Sequence, residues 1–285
     1  MPRRLLASVA AAVAALGLVT NSSVAQAADP PLSYVALGDS YSAASGVLPP
    51  DATSLVCLRS TRNYPHVLAA RTEARLADVT CGAAETKHFT TAQYPGVAPQ
   101  LDAVGPDTDL VTMTIGGNDS GVFIGAILAC GVAGVATLGQ GSPCADRYGS
   151  SFTDTVRTTT YPALVAALQA VRTKAPQADV AILGYPWILP ATGGCFTKMP
   201  VATGDVPYLR TLQTTLNDAI HRAATATGAT YVDLTEVSEG HDACQRLGVR
   251  WIEPVLQTTN PVVVHPNALG ESNLATQTMR VLGLA

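Results

Sequence analysis

The chain has 285 residues, 47% of them apolar and 13% charged, a balance that supports a folded core and excludes an intrinsically disordered chain. Its formal charge is −4 and its only lysines are Lys87, Lys174 and Lys198, so a basic track for nucleic acid is excluded. The length suits one large α/β domain or two small ones, and no composition shift marks a linker.

Arg3 and Arg4 precede an apolar run from Leu5 to Val19 and then Ala25-Gln26-Ala27. A positive start, an apolar stretch and a small-x-small site make residues 1–27 a secretory signal peptide, and the run falls short of the ~20 residues that span a bilayer. No later segment is expected to span, so the expectation is a soluble, exported domain over residues 28–285 with no membrane anchor.

Ser33-Tyr34-Val35-Ala36-Leu37 is a short apolar run that ends at Gly38, a buried strand leading into a turn. Ala77-Asp78-Val79 is a weaker strand, and Leu110–Ile115 ends at Gly116-Gly117 as the first run ends at Gly38. Tyr161, Leu164, Val165, Leu168 and Val171 recur at helical spacing, followed by a strand at Asp179–Leu183. Leu209, Leu212, Leu216, Ile220 and Ala223 form a second helical stripe, before a strand at Thr230–Val232 and a C-terminal helix beyond Pro266. This alternation predicts a single-domain three-layer α/β/α sandwich with a central, mostly parallel five-stranded sheet of the flavodoxin-like kind. Such sheets bind ligands beyond the carboxyl ends of their strands, and Ser40 and Asn118 both follow strands directly, so they share one rim.

Six cysteines, at 57, 81, 130, 144, 195 and 244, all lie downstream of the leader. The even count fits disulfides formed in an oxidising compartment. Sequence leaves the connectivity open, and the natural order is successive: Cys57 with Cys81, Cys130 with Cys144, Cys195 with Cys244. The scattered positions lack C-x-x-C spacing, so zinc is not expected, nor any other metal or cofactor.

Three segments carry chemistry. Gly38-Asp39-Ser40-Tyr41-Ser42 offers a hydroxyl nucleophile, Gly116-Gly117-Asn118-Asp119 a carboxamide donor, and His265-Pro266-Asn267 an imidazole base. Acyl transfer needs all three, because a neutral serine attacks poorly until a base takes its proton, and the oxyanion needs donors already in place. Each has a bland alternative: Ser40 and Asn118 are also ordinary helix caps. Among the other histidines, His66 and His221 sit in helical patterns and His88 in a loop without a partner. His241, in the polar loop Glu239-Gly240-His241-Asp242, is the competitor to His265.

On these segments the chain resembles the SGNH or GDSL hydrolases, and within them the secreted, three-disulfide lipases and esterases of actinobacteria. Further matches are Ser45-Gly46, Gly82 after Cys81, Gly240-His241-Asp242-Ala243-Cys244, and Gly270. The resemblance covers essentially the whole chain after the leader. It implies Ser40 as nucleophile, His265 as base, and an oxyanion hole formed by the backbone amides of Ser40 and Gly82 with the Asn118 side chain. The family commonly has an aspartate three residues before the histidine, where this chain has Val262. A main-chain carbonyl can orient the imidazole instead, as in some relatives, so a Ser-His dyad with the carbonyl of Val262 or Val263 is expected. Asp233, Glu236 and Asp242 are the carboxylates that would replace that carbonyl in a triad.

The expected reaction is hydrolysis of a small-molecule or lipid ester by a monomer. Acyl transfer to another alcohol, phospholipid cleavage, sugar deacetylation and an inactive binding protein are the alternatives. Residues 121–140, rich in Val, Ile, Leu, Ala and Gly, suit either the wall of an acyl pocket or a core helix, and Tyr185–Pro190 suits either a cleft rim or core.

Overall fold

A computed structural model describes residues 30–284, so the expected leader over residues 1–27 lies outside the described residues. The strands are β1 (Ser33–Gly38), β2 (Arg75–Asp78), β3 (Leu110–Thr114), β4 (Asp179–Leu183) and β5 (Thr230–Val232). Their order is β2-β1-β3-β4-β5 and every pairing is parallel. The helices are α1 (Ser40–Ala43), α2 (Tyr64–Thr72), α3 (Val122–Ala136), α4 (Pro143–Tyr148), α5 (Ser151–Thr155), α6 (Tyr161–Lys174), α7 (Val206–Thr227), α8 (Thr235–Ser238) and α9 (Ala268–Leu282).

Alternate side chains of a strand point to opposite faces. Val35, Leu37, Val111, Met113, Val180 and Ile182 pack into one core with α3, α6 and α7. Tyr34, Ala36, Leu110, Ala181 and Leu183 pack into a second core with α2 and α9. Burial on both faces is why β1, β3 and β4 read as near-continuous apolar runs, and it makes the domain a three-layer α/β/α sandwich.

The weak strand differs in position. It occupies Arg75–Asp78 rather than 77–79, because it is an edge strand with Arg75 and Ala77 exposed, so no apolar run marks it. Asp119–Ala136 also corrects an expectation: by length and composition alone this stretch could cross a membrane. Its backbone is broken at Ser120, where φ is +55°. One face of α3, including Phe123, Ala126, Ile127 and Cys130, is buried against the sheet core.

The disulfides are Cys57–Cys81, Cys130–Cys144 and Cys195–Cys244. The first ties the segment before α2 to the loop after β2, and the second ties α3 to α4. β1 has β2 on one side and β3 on the other, so the sheet changes winding direction at β1, and its carboxyl end is the rim where such folds bind ligands.

Candidate active site

Gly38 ends β1 with φ of +124°, and a Cβ there would collide with the Thr114 carbonyl, so only glycine lets the chain turn this close to β3. Asp39 then caps α1. Its carboxylate accepts from the Tyr41 N–H at 3.0 Å, the Thr114 hydroxyl at 2.7 Å and the Tyr185 hydroxyl. Burial pushes the Asp39 pKa up to about 6 against the pull of those bonds. The Tyr185 oxygen accepts from the Gly117 N–H at 3.0 Å, which stitches the turn after β1 to the turn after β3. Tyr185 is therefore a buried support of the site, Trp187 is buried beneath the Arg210 guanidinium, and Ile188 reaches the cavity wall.

Ser40 opens α1, and its N–H has no acceptor among the described residues. Its Oγ lies 2.7 Å from His265 Nε2. The imidazole's Nδ1 lies 2.7 Å from the Val263 carbonyl. An N–H on Nδ1 donating to that carbonyl leaves the Nε2 lone pair facing the hydroxyl. Of the two carbonyls expected from the sequence, Val263 occupies the place and Val262 does not. Asp233 accepts from Thr235, and Asp242 accepts from Cys244 and Gln245. Among the described residues neither they nor Glu236 bonds to His265. Burial lowers the His265 pKa below the usual histidine value, with the Val263 bond opposing.

The His265 loop is built from residues that sequence reading passed over. Val264 has φ of +60°, a costly conformation for a β-branched residue, and it is pinned on both sides. Its N–H donates to the Glu253 carbonyl at 2.9 Å, and its own carbonyl accepts from the Tyr41 hydroxyl at 2.7 Å. Fully buried Glu253 pairs with Arg250 at 2.7 Å and accepts from the Thr259 N–H and from Asn267. Burial favours the neutral carboxyl, yet these bonds outweigh it and hold the Glu253 pKa below its usual value. Asn267 also caps α9, accepting from Leu269 and Gly270 N–H. Nothing in the local sequence pattern announces this network beyond the cap itself.

Asn118 follows β3 and faces the same cavity as Ser40 and His265. One Nδ2 proton goes to the Ala84 carbonyl at 3.0 Å, which leaves the other for a ligand. Asp119 accepts from the Thr86 N–H at 2.9 Å and its hydroxyl at 2.8 Å, locking the loop after β2 onto this turn.

Gly82 requires a correction. Its N–H, expected in the oxyanion hole, donates to the Cys57 carbonyl at 2.7 Å. The next residue, Ala83, is exposed, lines the cavity and has an N–H without an acceptor among the described residues. Its φ of +62° turns the chain sharply at this point. The sequence hid this because a glycine beside Cys81 looks like the turn residue, whereas the left-handed position falls on an alanine.

The remaining histidines are engaged elsewhere. His241 bonds to the Val249 carbonyl and stacks on Trp251, His221 stacks on Tyr231, His66 meets Asn63 and Asp78, and His88 accepts from the Glu85 N–H. Among the described residues no group of three or more His, Cys, Asp or Glu side chains could hold a metal ion.

A hydroxyl, an imidazole and free N–H donors thus line one cavity of about 270 Å³, walled by Phe123, Ile124, Ile127 and Ile188. Residues 36–272 match the GDSL-like lipase/acylhydrolase family. The chain belongs to that family. Lipase 2 of Streptomyces coelicolor is 62% identical over 99% of this chain and 98% of its own length. Two solved structures, phospholipase A1 from Streptomyces albidoflavus and an extracellular lipase from Streptomyces rimosus, each share 30% identity and a TM-score of 0.72 over 88% of this chain. They are covered over 97% and 98% of their own lengths respectively. As a member of the GDSL family the protein is a carboxylic ester hydrolase of the lipase/esterase type.

Proposed function

We propose that the protein is an exported serine lipase or esterase that cleaves acyl esters of lipid character through a Ser40-His265 dyad. The observation that carries this reading is the 2.7 Å separation of Ser40 Oγ and His265 Nε2. In this mechanism Nε2 takes the hydroxyl proton as Oγ attacks the ester carbonyl, and the oxyanion forms against the Ser40 and Ala83 N–H groups and Asn118 Nδ2. The imidazolium then protonates the departing alcohol. Water, deprotonated by the same nitrogen, releases the acyl group from Ser40.

The Val263 carbonyl holds the ring tautomer in place of a carboxylate, and the half-buried imidazole, its pKa lowered, is in its neutral, basic form at neutral pH. Export is supported by the leader-like residues 1–27, by three disulfides and by the extracellular S. rimosus relative. Apolar cavity walls favour an acyl chain over a sugar ester.

An ester panel from acetyl to long acyl, with phospholipids included because of the S. albidoflavus relative, tests the reading. Wild type cleaves the panel, Ser40→Ala loses activity by several orders of magnitude, and Asp233→Asn and Glu236→Gln retain it. Full activity of Ser40→Ala would remove the serine mechanism, and a large kcat loss in either amide variant would replace the dyad with a triad.

A further inference from the structure

Residues Ile124, Ile127, Leu128, Gly131, Val132 and Val135 recur at three- and four-residue spacing and form one stripe along α3. This stripe faces a groove of about 370 Å³ whose other wall is built by Met199, Val201, Val255, Val263 and Val264. The groove has no charged or polar side chain in its lining. Val132 and Leu128 are 73% and 64% exposed, an apolar face that a soluble domain covers or uses.

The groove abuts the catalytic cavity, since Ile124, Ile127 and Val264 belong to both walls and Val264 precedes the catalytic imidazole. From Ile124 to Val135 it runs roughly 16 Å along the helix.

The geometry points to this groove as the track for the distal part of the acyl chain of the ester held at Ser40, which makes the α3 stripe the determinant of chain-length preference. The inference rests on the serine reading above. The alcohol half of a lipid ester carries glycerol or a headgroup whose hydroxyls and charges would lie unpaired on a surface without donors or acceptors, and only the acyl half is apolar along its length. A short acyl group ends inside the first cavity, whereas a long one must leave it, and the wall shared with the groove offers an apolar exit. Each methylene laid on the groove rather than in water is worth about fourfold in binding.

Gly131 supplies the test. It lies mid-groove, and a Cβ built on it meets nothing within 4 Å, so a large side chain there fills the track and not the protein. Gly125, at the border of the stripe one heptad before Val132, is equally open but lines neither cavity. The measurement is kcat/KM for p-nitrophenyl butyrate, laurate and palmitate, and for acetate esters of long-chain alcohols, on wild type, Gly131→Phe and Gly125→Phe. Melting temperatures are recorded alongside.

Gly131→Phe is expected to lower the laurate-to-butyrate ratio by at least about tenfold and leave butyrate within about twofold, while Gly125→Phe changes neither. Should Gly131→Phe fail to fold, Val132→Asn and Val135→Asn on the exposed floor decide the matter through a smaller loss of the same ratio. Unchanged ratios in the groove variants, or a loss confined to long-chain alcohols, would overturn the track. If Ser40→Ala is at the same time inactive, the serine reading survives that failure, whereas full activity of Ser40→Ala overturns both.

Discussion

Asn118 shows how much of a residue's role sits in its second bond. Its Nδ2 is anchored to the Ala84 carbonyl, so in the proposed mechanism the amide is oriented before an ester arrives and needs no reorganisation at the moment of reaction. Asn118→Ala should lower kcat by about 10²–10³ with KM little changed, because the lost bond strengthens only as the carbonyl oxygen becomes an oxyanion. Steady-state kinetics on a soluble ester measure this, and a variant with full turnover would remove Asn118 from the mechanism. Ser40, Asn118 and His265 were legible in the sequence because each follows a punctuated apolar run. Ala83 was not. Which of two adjacent residues presents its N–H depends on where the Cys57 carbonyl lands, a tertiary fact that no local pattern encodes.

At the scale of elements, α9 does more than close the second core. The Glu271 side chain reaches across to α2, where it accepts from the Tyr64 N–H at 2.6 Å, one of the donors a helix start leaves open. Glu271 is fully buried and its other carboxyl oxygen lacks a partner among the described residues. Burial is the main reason its pKa lies well above the usual value, with the negative charge of Asp78 adding to it.

A carboxyl that holds its proton more tightly when folded contributes most to stability in acid, and that contribution falls as pH rises from the unfolded-state pKa toward the folded one. Glu271→Gln keeps the acceptor without a proton to lose. Its melting temperature relative to wild type should therefore rise between pH 5 and pH 8, by up to about 1.4 kcal/mol of stability per pH unit. Thermal melts by circular dichroism at both pH values test this, and a difference that shrinks with rising pH would contradict it. The principal strands and the α6 and α7 stripes were readable from periodicity, since β1, β3 and β4 are buried on both faces. β2 was displaced because an edge strand carries half an apolar pattern, and α3 stayed ambiguous because it is apolar all round, with one face in the core and the other beside the cavity.

Across the whole molecule, the sheet brings together groups that are 225 residues apart in sequence, and it does so at the one edge where β1 departs toward both β2 and β3. The rest of the fold serves that edge. Cys57–Cys81 holds the loop carrying Ala83, the Asp39-Tyr185-Gly117 chain joins two strand ends, and the Arg250-Glu253-Asn267 network carries His265 over the rim. The absence of an aspartate at position 262 was visible from the sequence, and His265 Nδ1 instead lies 2.7 Å from the Val263 carbonyl.

The proposed nucleophile, activated in that proposal by one imidazole and no carboxylate, should be titrated irreversibly by a fluorophosphonate, with peptide mass mapping to locate the adduct and His265→Ala as the comparison. The adduct is expected on Ser40 at one equivalent per chain, formed at a rate that drops by orders of magnitude without His265. An adduct on any other residue, or labelling of Ser40 at an undiminished rate in His265→Ala, would contradict the account.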